Sequence, residues 1–267
     1  MMINTNLGFV IMIIAVALGL PIFTVLGLTY INRASKGRLA IRLGAASQVY
    51  IGGLGVIIHE LSHLLMAVLF GHHIQDAKLL VMPWNIDRNG GALGYVYHNW
   101  NDRSLYQSLG NAFIGTAPIY GCTAALLLLT KWLNPALFQF GDAVAQSLVQ
   151  ATPNWHWSLV TQHLGMLTSG QWSFTTALAL LLWVLLSVSI TVGGFDLSPA
   201  DFKNAGMAFI EMYVIITVIL IILVYGGFSY QVTYWLTKWI VWFSLVMVIS
   251  FIWSILTYLG CRLLALF

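Results

Sequence analysis

The sequence has few charged residues: Asp, Glu, Lys and Arg make up 7% of its 267 residues, against about a quarter in an ordinary soluble domain. So little charge cannot cover a surface that faces water, whereas 60% of the residues are hydrophobic. This excludes a soluble globular protein and predicts an integral membrane protein with the lipid bilayer as its partner. The formal net charge of +3 is too small and too scattered for a nucleic-acid-binding surface.

Cysteine is also nearly absent. Cys122 and Cys261 both lie in apolar runs and are far apart in the chain, which excludes a disulfide framework and a cysteine metal site. We expect both to be small core residues. The first apolar run, which begins near Leu7, lacks a basic flank and a small-residue cleavage site. We therefore predict a retained span rather than a signal peptide.

What the sequence does have is long apolar runs. A helix that crosses a bilayer needs about 20 predominantly apolar residues, and six segments meet this requirement. The sequence therefore predicts an α-helical polytopic membrane protein, a single membrane domain over residues 1–267, with about six transmembrane helices. These spans lie roughly at 7–32, 44–70, 109–133, 173–192, 207–227 and 236–260.

A polar segment, residues 71–108, separates the second and third spans. Within it, KLLVMPW (Lys78–Trp84) and ALGYVYH (Ala92–His98) are rich in residues that suit strands. Between them lies a turn signal, Asn89-Gly90-Gly91. We predict a small β-hairpin near the membrane surface, whose edge could pair with an extended peptide.

Charge in the loops gives two opposing signals about orientation. The segment RASKGRLAIR, residues 33–42, carries four positive charges and no negative one, and the positive-inside rule predicts that it is cytoplasmic. The loop 134–172 has no Lys or Arg, which favours an external position. Both cannot hold for an alternating series of spans, so the sequence leaves two orientations open.

The second span, at about 44–70, carries the motif HELSH. Residues four apart share one helix face, so His59 and His63 can bind one metal ion. Glu60 lies about 100° round the helix, where it can act as general base on a water that the ion activates. The alternative is a pair of histidines that form interhelical hydrogen bonds. A carboxylate in the hydrocarbon costs several kcal/mol, which favours a functional metal site and a catalytic Glu60.

A catalytic zinc ion needs a third protein ligand. The segment 193–206, GGFDLSPADFKNAG, offers two aspartates. Ser198 as N-cap and Pro199 at the first helical position would place Asp201 in the opening turn of a helix, so Asp201 is the first candidate and Asp196 the second. In the alternative interpretation, Asp201 only caps the helix and complements its dipole.

Two further features lie close to the predicted zinc helix. The glycines of IGGLG, residues 51–55, would let a neighbouring helix approach just before His59. Asn111, in the polar start of the third span, could donate a hydrogen bond to the oxyanion or to substrate. A helix-capping role for Asn111 is the alternative. We assign none of the five other histidines to zinc.

These features together resemble the site-2 protease family of intramembrane zinc metalloproteases. The resemblance rests on HELSH inside a span, the hairpin-like segment after it, GTAPIYG (Gly115–Gly121) and an aspartate at the opening of a later helix, and it covers roughly residues 45–210. It implies a Zn²⁺ cofactor, hydrolysis of a transmembrane protein substrate and a multi-pass protein of a bacterial cell membrane. The family's aspartate is usually followed by glycine, and neither Asp196 nor Asp201 is.

Two other functional classes stay open. Ionisable residues inside a membrane also mark the paths of transporters and metal-handling proteins. Such proteins show repeated broken helices or symmetric halves, whereas this sequence has one polar break, near Gly193. A catalytically inactive scaffold that binds membrane helices would keep the fold without needing an intact HELSH.

Overall fold

The fold is almost entirely helical, with one two-stranded sheet. The structure is a computed structural model that describes residues 7–168, 170 and 173–264, and the side chains of all of these except 7, 200 and 202–209. Short 3₁₀ turns occur at Pro83–Asn85, Asp87–Asn89 and Leu164–Leu167. The elements in chain order are α1 (Leu7–Leu43), α2 (Ser47–Leu69), β1 (His73–Lys78), β2 (Tyr95–Asn99), α3 (Leu105–Leu133), α4 (Pro135–Gln150), α5 (Ser158–Thr161), α6 (Phe174–Gly194), α7 (Pro199–Leu223) and α8 (Ser229–Leu264).

The helices confirm a polytopic membrane protein. Within the described residues, five helical stretches are long and apolar enough to cross a bilayer. The last of these, Ile210–Leu264, contains parts of both the fifth and the sixth predicted spans. A π-helical turn at Val224–Phe228 divides it into α7 and α8, because Gly227 there has a left-handed φ of 90°. Each of the two helices retains the length that a span needs.

The hairpin is present, but one of its predicted strands is wrong. β1 pairs antiparallel with β2, with Lys78 opposite Tyr95, so the second predicted strand is confirmed in part. Lys78–Trp84 is not a strand beyond its first residue. The apolar residues of this stretch serve burial instead, since Val81 lies in a core cluster and Pro83 opens a 3₁₀ turn.

The hairpin folds back along α2. Val81 and Ile86 pack against Val49, in the first turn of α2, while β1 starts just after the other end of that helix. The twenty residues between Val49 and Leu69 span about 30 Å of helix. The segment between α2 and α3 therefore runs along most of the length of α2. The predicted position of the hairpin near the membrane surface stays a prediction.

The basic segment 33–42 is not a loop. It continues α1 without a break to Leu43. Arg33 and Lys36 both form ion pairs with Asp196, whose single negative charge balances one of the four positive charges. The segment keeps an excess of positive charge, and the two orientations stay open.

The predicted loop 134–172 contains a helix. Asn134 accepts a hydrogen bond from the Leu137 backbone N–H, and Pro135 occupies the first helical position. This arrangement starts α4. The absence of Lys and Arg had favoured an external loop for this segment. Positions 169, 171 and 172 of the predicted loop lie outside the described residues.

The chain forms two compact units, and the long helices contribute to both. In the first, Ile13, Ala17 and Ile240 form a buried cluster. In the second, which contains α2 and the hairpin, the cluster of Val49, Val81 and Ile86 fixes the hairpin against α2. The prediction of one membrane domain stays a prediction. All of the candidate site residues lie in the second unit.

Candidate metal centre

The two histidines of HELSH meet on one face of α2. His59 and His63 are both buried, and their Nε2 atoms are 3.0 Å apart. The helical spacing of four residues produces this arrangement, because it places the side chains one above the other. The two histidines therefore have the relative position that the predicted metal clamp requires.

Each histidine has its second nitrogen fixed by a backbone carbonyl. His59 Nδ1 donates to Gly194 O and His63 Nδ1 donates to Ile114 O, both at 2.8 Å. A carbonyl oxygen only accepts, so each Nδ1 carries the proton and each Nε2 has a lone pair. Such outer contacts are what orient imidazoles toward a metal ion.

Each of these two carbonyls lacks its usual helical N–H donor, because the helix that carries it is interrupted or ends. Pro118 lies inside α3 and has no N–H, so the usual donor to Ile114 O is missing. α6 ends at Gly194, and the N–H of Ser198 is directed to Asp201 instead. Proline in the third span and the polar break after the fourth thus supply the two acceptors that orient the histidines.

Asp201 reaches the same point from α7. Its Oδ1 is 3.4 Å from His63 Nε2 and its Oδ2 is 3.8 Å from His59 Nε2. The Ser198 N–H donates to Asp201 Oδ2 at 2.5 Å, and the Asp201 N–H donates to Ser198 Oγ at 3.2 Å. Asp201 therefore caps α7 and also faces the histidines, so the two interpretations are not exclusive.

The donor set fits a metal ion. Three atoms that can only accept, two imidazole lone pairs and a carboxylate oxygen, lie within 4.8 Å of one another. Hydrogen-bond acceptors at such short distances repel each other unless a proton or a metal ion supplies positive charge between them. A tetrahedral zinc with bonds of about 2.1 Å holds its ligand atoms about 3.4 Å apart, within about 0.4 Å of the 3.0, 3.4 and 3.8 Å observed.

Asp196 is not in this cluster. Its Oδ1 accepts from Arg33 Nε at 2.7 Å, and its Oδ2 forms an ion pair with Lys36. Arg33 also donates to the Leu197 carbonyl. The second candidate ligand thus forms ion pairs with two cations of α1 and ties the segment between α6 and α7 to that helix.

Further buried polar contacts join α1 to the last turn of α6. Asn32 on α1 is fully buried and donates to Thr191 O at 2.9 Å. Its Oδ1 accepts from Ser254 on α8 at 2.8 Å. Because α6 ends three residues after Thr191, these bonds fix the end of the helix that carries the Gly194 carbonyl. None of these partners was singled out in the sequence.

Glycines bring α2 and α6 into backbone contact, as IGGLG predicts. A Cβ added at Gly193 would overlap the Gly52 carbonyl, and one at Gly55 would lie 2.5 Å from the Gly194 nitrogen. Only glycine on both sides permits this approach. It places His59, one turn beyond Gly55, against the last residue of α6.

A cavity of about 600 Å³ opens beside the cluster. Glu60 lines it together with the three cluster residues, and a Cβ on Gly94 of the hairpin would lie 2.7 Å from Glu60 Cγ. Consecutive residues from Gly91 to His98 line the cavity, whereas β1 contributes Gln75 alone. The hairpin therefore covers the glutamate and forms one side of the cavity.

Asn111 also lines this cavity. Its Oδ1 is buried and has no hydrogen-bond partner among the residues that the structure describes. The alternative in which Asn111 caps a helix is wrong, because α3 starts at Leu105, almost two turns earlier. A buried polar atom without a partner is uncommon and marks a position where a ligand can supply one.

Sequence reasoning placed His98 near the cavity as a polar contact but missed its pairing with His72. His72 is buried at the end of α2, and its Nδ1 is 2.9 Å from Nδ1 of His98, which lines the cavity wall. Their separation along the chain gave no signal; only the hairpin register, with Ile74 opposite His98, brings them together.

Comparisons of the chain with family models, with curated proteins and with solved structures give no match.

Proposed function

We propose that this protein is an intramembrane zinc endopeptidase that hydrolyses peptide bonds of membrane-embedded proteins, as in the site-2 protease family that its motifs resemble. The observation that carries the proposal is the convergence of His59 Nε2, His63 Nε2 and an Asp201 oxygen, each an acceptor, beside a cavity lined by Glu60. A bacterial cell membrane is the location that the resemblance implies.

His59, His63 and Asp201 would hold the zinc ion. Zinc in such a site acts as a Lewis acid that acidifies water and polarises a carbonyl group. The Gly194 and Ile114 carbonyls keep both imidazoles in the tautomer that binds metal, and the α7 cap fixes the Asp201 carboxylate. The protein therefore enters the reaction with its ligands already oriented.

Glu60 is the general base in this proposal. It lies one residue from His59, so it projects to a different side of α2 from the ligand pair and stays available. The carboxylate takes a proton from water as the water oxygen bonds to the carbonyl carbon. It then delivers that proton to the nitrogen as the C–N bond breaks.

Asn111 is the substrate contact in this proposal. Its buried Oδ1 lacks a partner within the described part of the chain, and a peptide N–H in the cavity would supply one. The amide can also turn its NH₂ group toward the carbonyl oxygen, where negative charge develops during attack. Either contact uses a side chain that α3 holds beside the His63 anchor, Ile114.

The hairpin gives a means to bind an extended peptide. Gly91–His98 lines the cavity, and β2 pairs with β1 along one edge. A substrate strand that adds to β2 would be bound through main-chain hydrogen bonds with little demand on sequence. Such pairing also stabilises the unwound form of a membrane helix, which a protease needs before it can cut.

The test is zinc content and hydrolysis in detergent-purified variants. The parent should contain close to one zinc per chain and cut a fluorescent single-span reporter protein. His59→Ala and Asp201→Ala should lose the zinc, while Glu60→Gln should keep zinc and lose hydrolysis. Asp196→Asn is the matched control, since that carboxylate binds Arg33 and Lys36 instead, and it should keep zinc.

The outcomes separate the competing classes. A parent that binds no zinc after supplementation contradicts the metalloprotease. Zinc without hydrolysis of any single-span reporter would favour a metal-handling protein or an inactive scaffold. Removal of zinc by a chelator should stop hydrolysis, and added zinc should restore it.

A further inference from the structure

His72 and His98 form a second histidine pair, one that is built differently from the metal cluster. Their Nδ1 atoms are 2.9 Å apart, and His72 Nε2 donates to the Gln107 carbonyl at 2.8 Å. The Trp100 ring stacks on His72 with its centroid 5.8 Å away. The pair therefore has a fixed geometry at the junction of α2, β2 and α3.

The positions of the protons distinguish the two pairs. In the metal cluster, both histidines donate their protons to carbonyls, so the two facing nitrogens are both acceptors. In the second pair only His72 has its proton committed, to Gln107. His98 can then donate its Nδ1–H to His72 Nδ1 and complete an N–H···N hydrogen bond. This pair needs no metal ion.

This proton arrangement determines the state of the other ring nitrogen of His98, Nε2. With its proton on Nδ1, neutral His98 has a lone pair on Nε2. That atom has no hydrogen bond to any described residue, and His98 lines the cavity. Burial, and to a smaller extent the neighbouring His72, lowers the pKa of His98 below its ordinary value. The neutral form is therefore the one present at neutral pH.

We propose that His98 is a substrate-binding residue, whose Nε2 accepts a hydrogen bond from a backbone N–H of a peptide in the cavity, and that His72 is the positioning residue that fixes this tautomer. The proposal rests on the proposed function in taking a peptide as the occupant. An imidazole free of such a partner carries its proton mainly on Nε2 and would present a donor there instead. His72 thus converts a wall residue from donor to acceptor.

The location of His98 suits this role. It lies in β2, of which Tyr95 to His98 line the cavity, and opposite Ile74 in the sheet register. Asn111, on the α3 wall, offers a second acceptor without a partner in the described chain. Two acceptors on two walls match the alternating N–H groups of an extended peptide.

The test is a double-mutant binding cycle in which the acceptor on the protein and the N–H donor on the peptide are removed separately and together. A fluorescent apolar peptide of about 20 residues, with Lys at both ends and a Gly-Ala centre, is titrated into zinc-loaded Glu60→Gln protein, which binds without cutting. Each central amide of the peptide is N-methylated in turn. Dissociation constants are compared in this background and in the same background with His98→Leu.

We expect one N-methylation to weaken binding about fivefold more in the background protein than in the His98→Leu protein. All other N-methylations should weaken both proteins equally, because they remove contacts that do not involve His98. Equal losses at every amide, or no binding of the peptide, would overturn the proposal. Hydrolysis by the protein with Glu60 intact is measured separately, so failure of the peptidase and failure of the acceptor are distinct results.

Imidazole ¹⁵N spectra of the zinc-loaded protein test the positioning residue without any substrate. The parent should show His98 protonated on Nδ1 and unprotonated on Nε2. His72→Gln should keep this tautomer, since the amide oxygen can accept from His98, and His72→Leu should lose it. The matched control is His73→Leu, an exposed neighbour that should change nothing. A parent with the His98 proton on Nε2 would overturn the inference.

Discussion

Two of the described helices have a proline in their interior, and each of these prolines leaves a carbonyl without its helical donor, which a ring N–H then binds. In the first unit, Pro21 lies in α1, and Trp239 Nε1 donates to the Ala17 carbonyl at 3.3 Å. In the second unit, Pro118 lies in α3, and His63 Nδ1 donates to Ile114 O at 2.8 Å. The same backbone defect, four residues before a proline, is satisfied in both places.

The two regions differ in whether the donor side chain has a second polar atom after it has bound the carbonyl. An indole has a single N–H, so the bond from Trp239 to α1 uses its whole hydrogen-bonding capacity and serves packing alone. An imidazole has a second nitrogen, and fixing the proton on His63 Nδ1 leaves a lone pair on Nε2. The difference teaches that the defect in α3 can contribute to a metal centre because its partner has a second polar atom, which the partner of the defect in α1 lacks.

The largest expected effect comes from closing the helix contact in the metal-site region. Gly193→Ala would place a Cβ against the Gly52 carbonyl and 2.9 Å from the Val56 nitrogen, both backbone atoms that cannot rotate away. α2 and α6 would have to separate, which moves His59 from Gly194. We expect zinc affinity to fall more than about hundredfold and the protein to lose several kcal/mol of stability.

The matched change in the first unit is Gly141→Ala. A Cβ there would lie 2.7 Å from a ring atom of Trp242, a side chain that can move. We expect a loss of about 1–3 kcal/mol in the free energy of unfolding and no change in zinc affinity. Zinc titration and thermal unfolding in detergent measure both variants. Equal zinc loss in the two would contradict the assignment of the α2–α6 contact to the metal centre.

The next effect separates charge from capping at Asp201. Asp201→Asn keeps an oxygen that can accept from the Ser198 N–H, so α7 should still begin at Pro199. It removes the negative charge that faces the two histidines. We expect zinc affinity to drop by about a hundredfold while the unfolding temperature of the metal-free protein changes little.

Asp142→Asn is the comparison in the first unit. Asp142 pairs with Lys238 at 3.9 Å, and both side chains are partly exposed. Loss of this pair should change stability by less than about 1 kcal/mol and leave zinc binding intact. If Asp201→Asn bound zinc as tightly as Asp142→Asn, the acidic ligand would have to be sought elsewhere.

The sequence was a good guide where the structure is local. The spacing in HELSH dictates one helix face, and His59 and His63 do meet there at 3.0 Å. The order Ser198-Pro199-Ala200-Asp201 predicts a capped helix start, which is present at Pro199. Both features depend on backbone geometry within one turn, so a short pattern is enough to predict them.

The errors arise where distant contacts decide. Lys78–Trp84 has the composition of a strand, but after Lys78 it leaves the sheet and its buried residue, Val81, packs against α2, and composition alone does not separate these outcomes. The basic segment 33–42 was assigned to a loop, since nothing local showed that Asp196 would pair with two of its charges. The start of α4 was missed although Asn134-Pro135 is a recognised start signal.

The smallest effect tests the comparison of the prolines directly. Pro118→Ala supplies an N–H at position 118 that competes with His63 Nδ1 for the Ile114 carbonyl. A carbonyl oxygen can accept two hydrogen bonds, so the anchor weakens without being lost, and we expect zinc affinity to fall about threefold to tenfold. Pro21→Ala makes the same change beneath Trp239 and should leave zinc affinity unchanged, because no ligand depends on the Ala17 carbonyl. Competitive titration with a zinc chelator measures both. Equal affinities in the two variants would mean that the proline in α3, like the one in α1, serves packing alone.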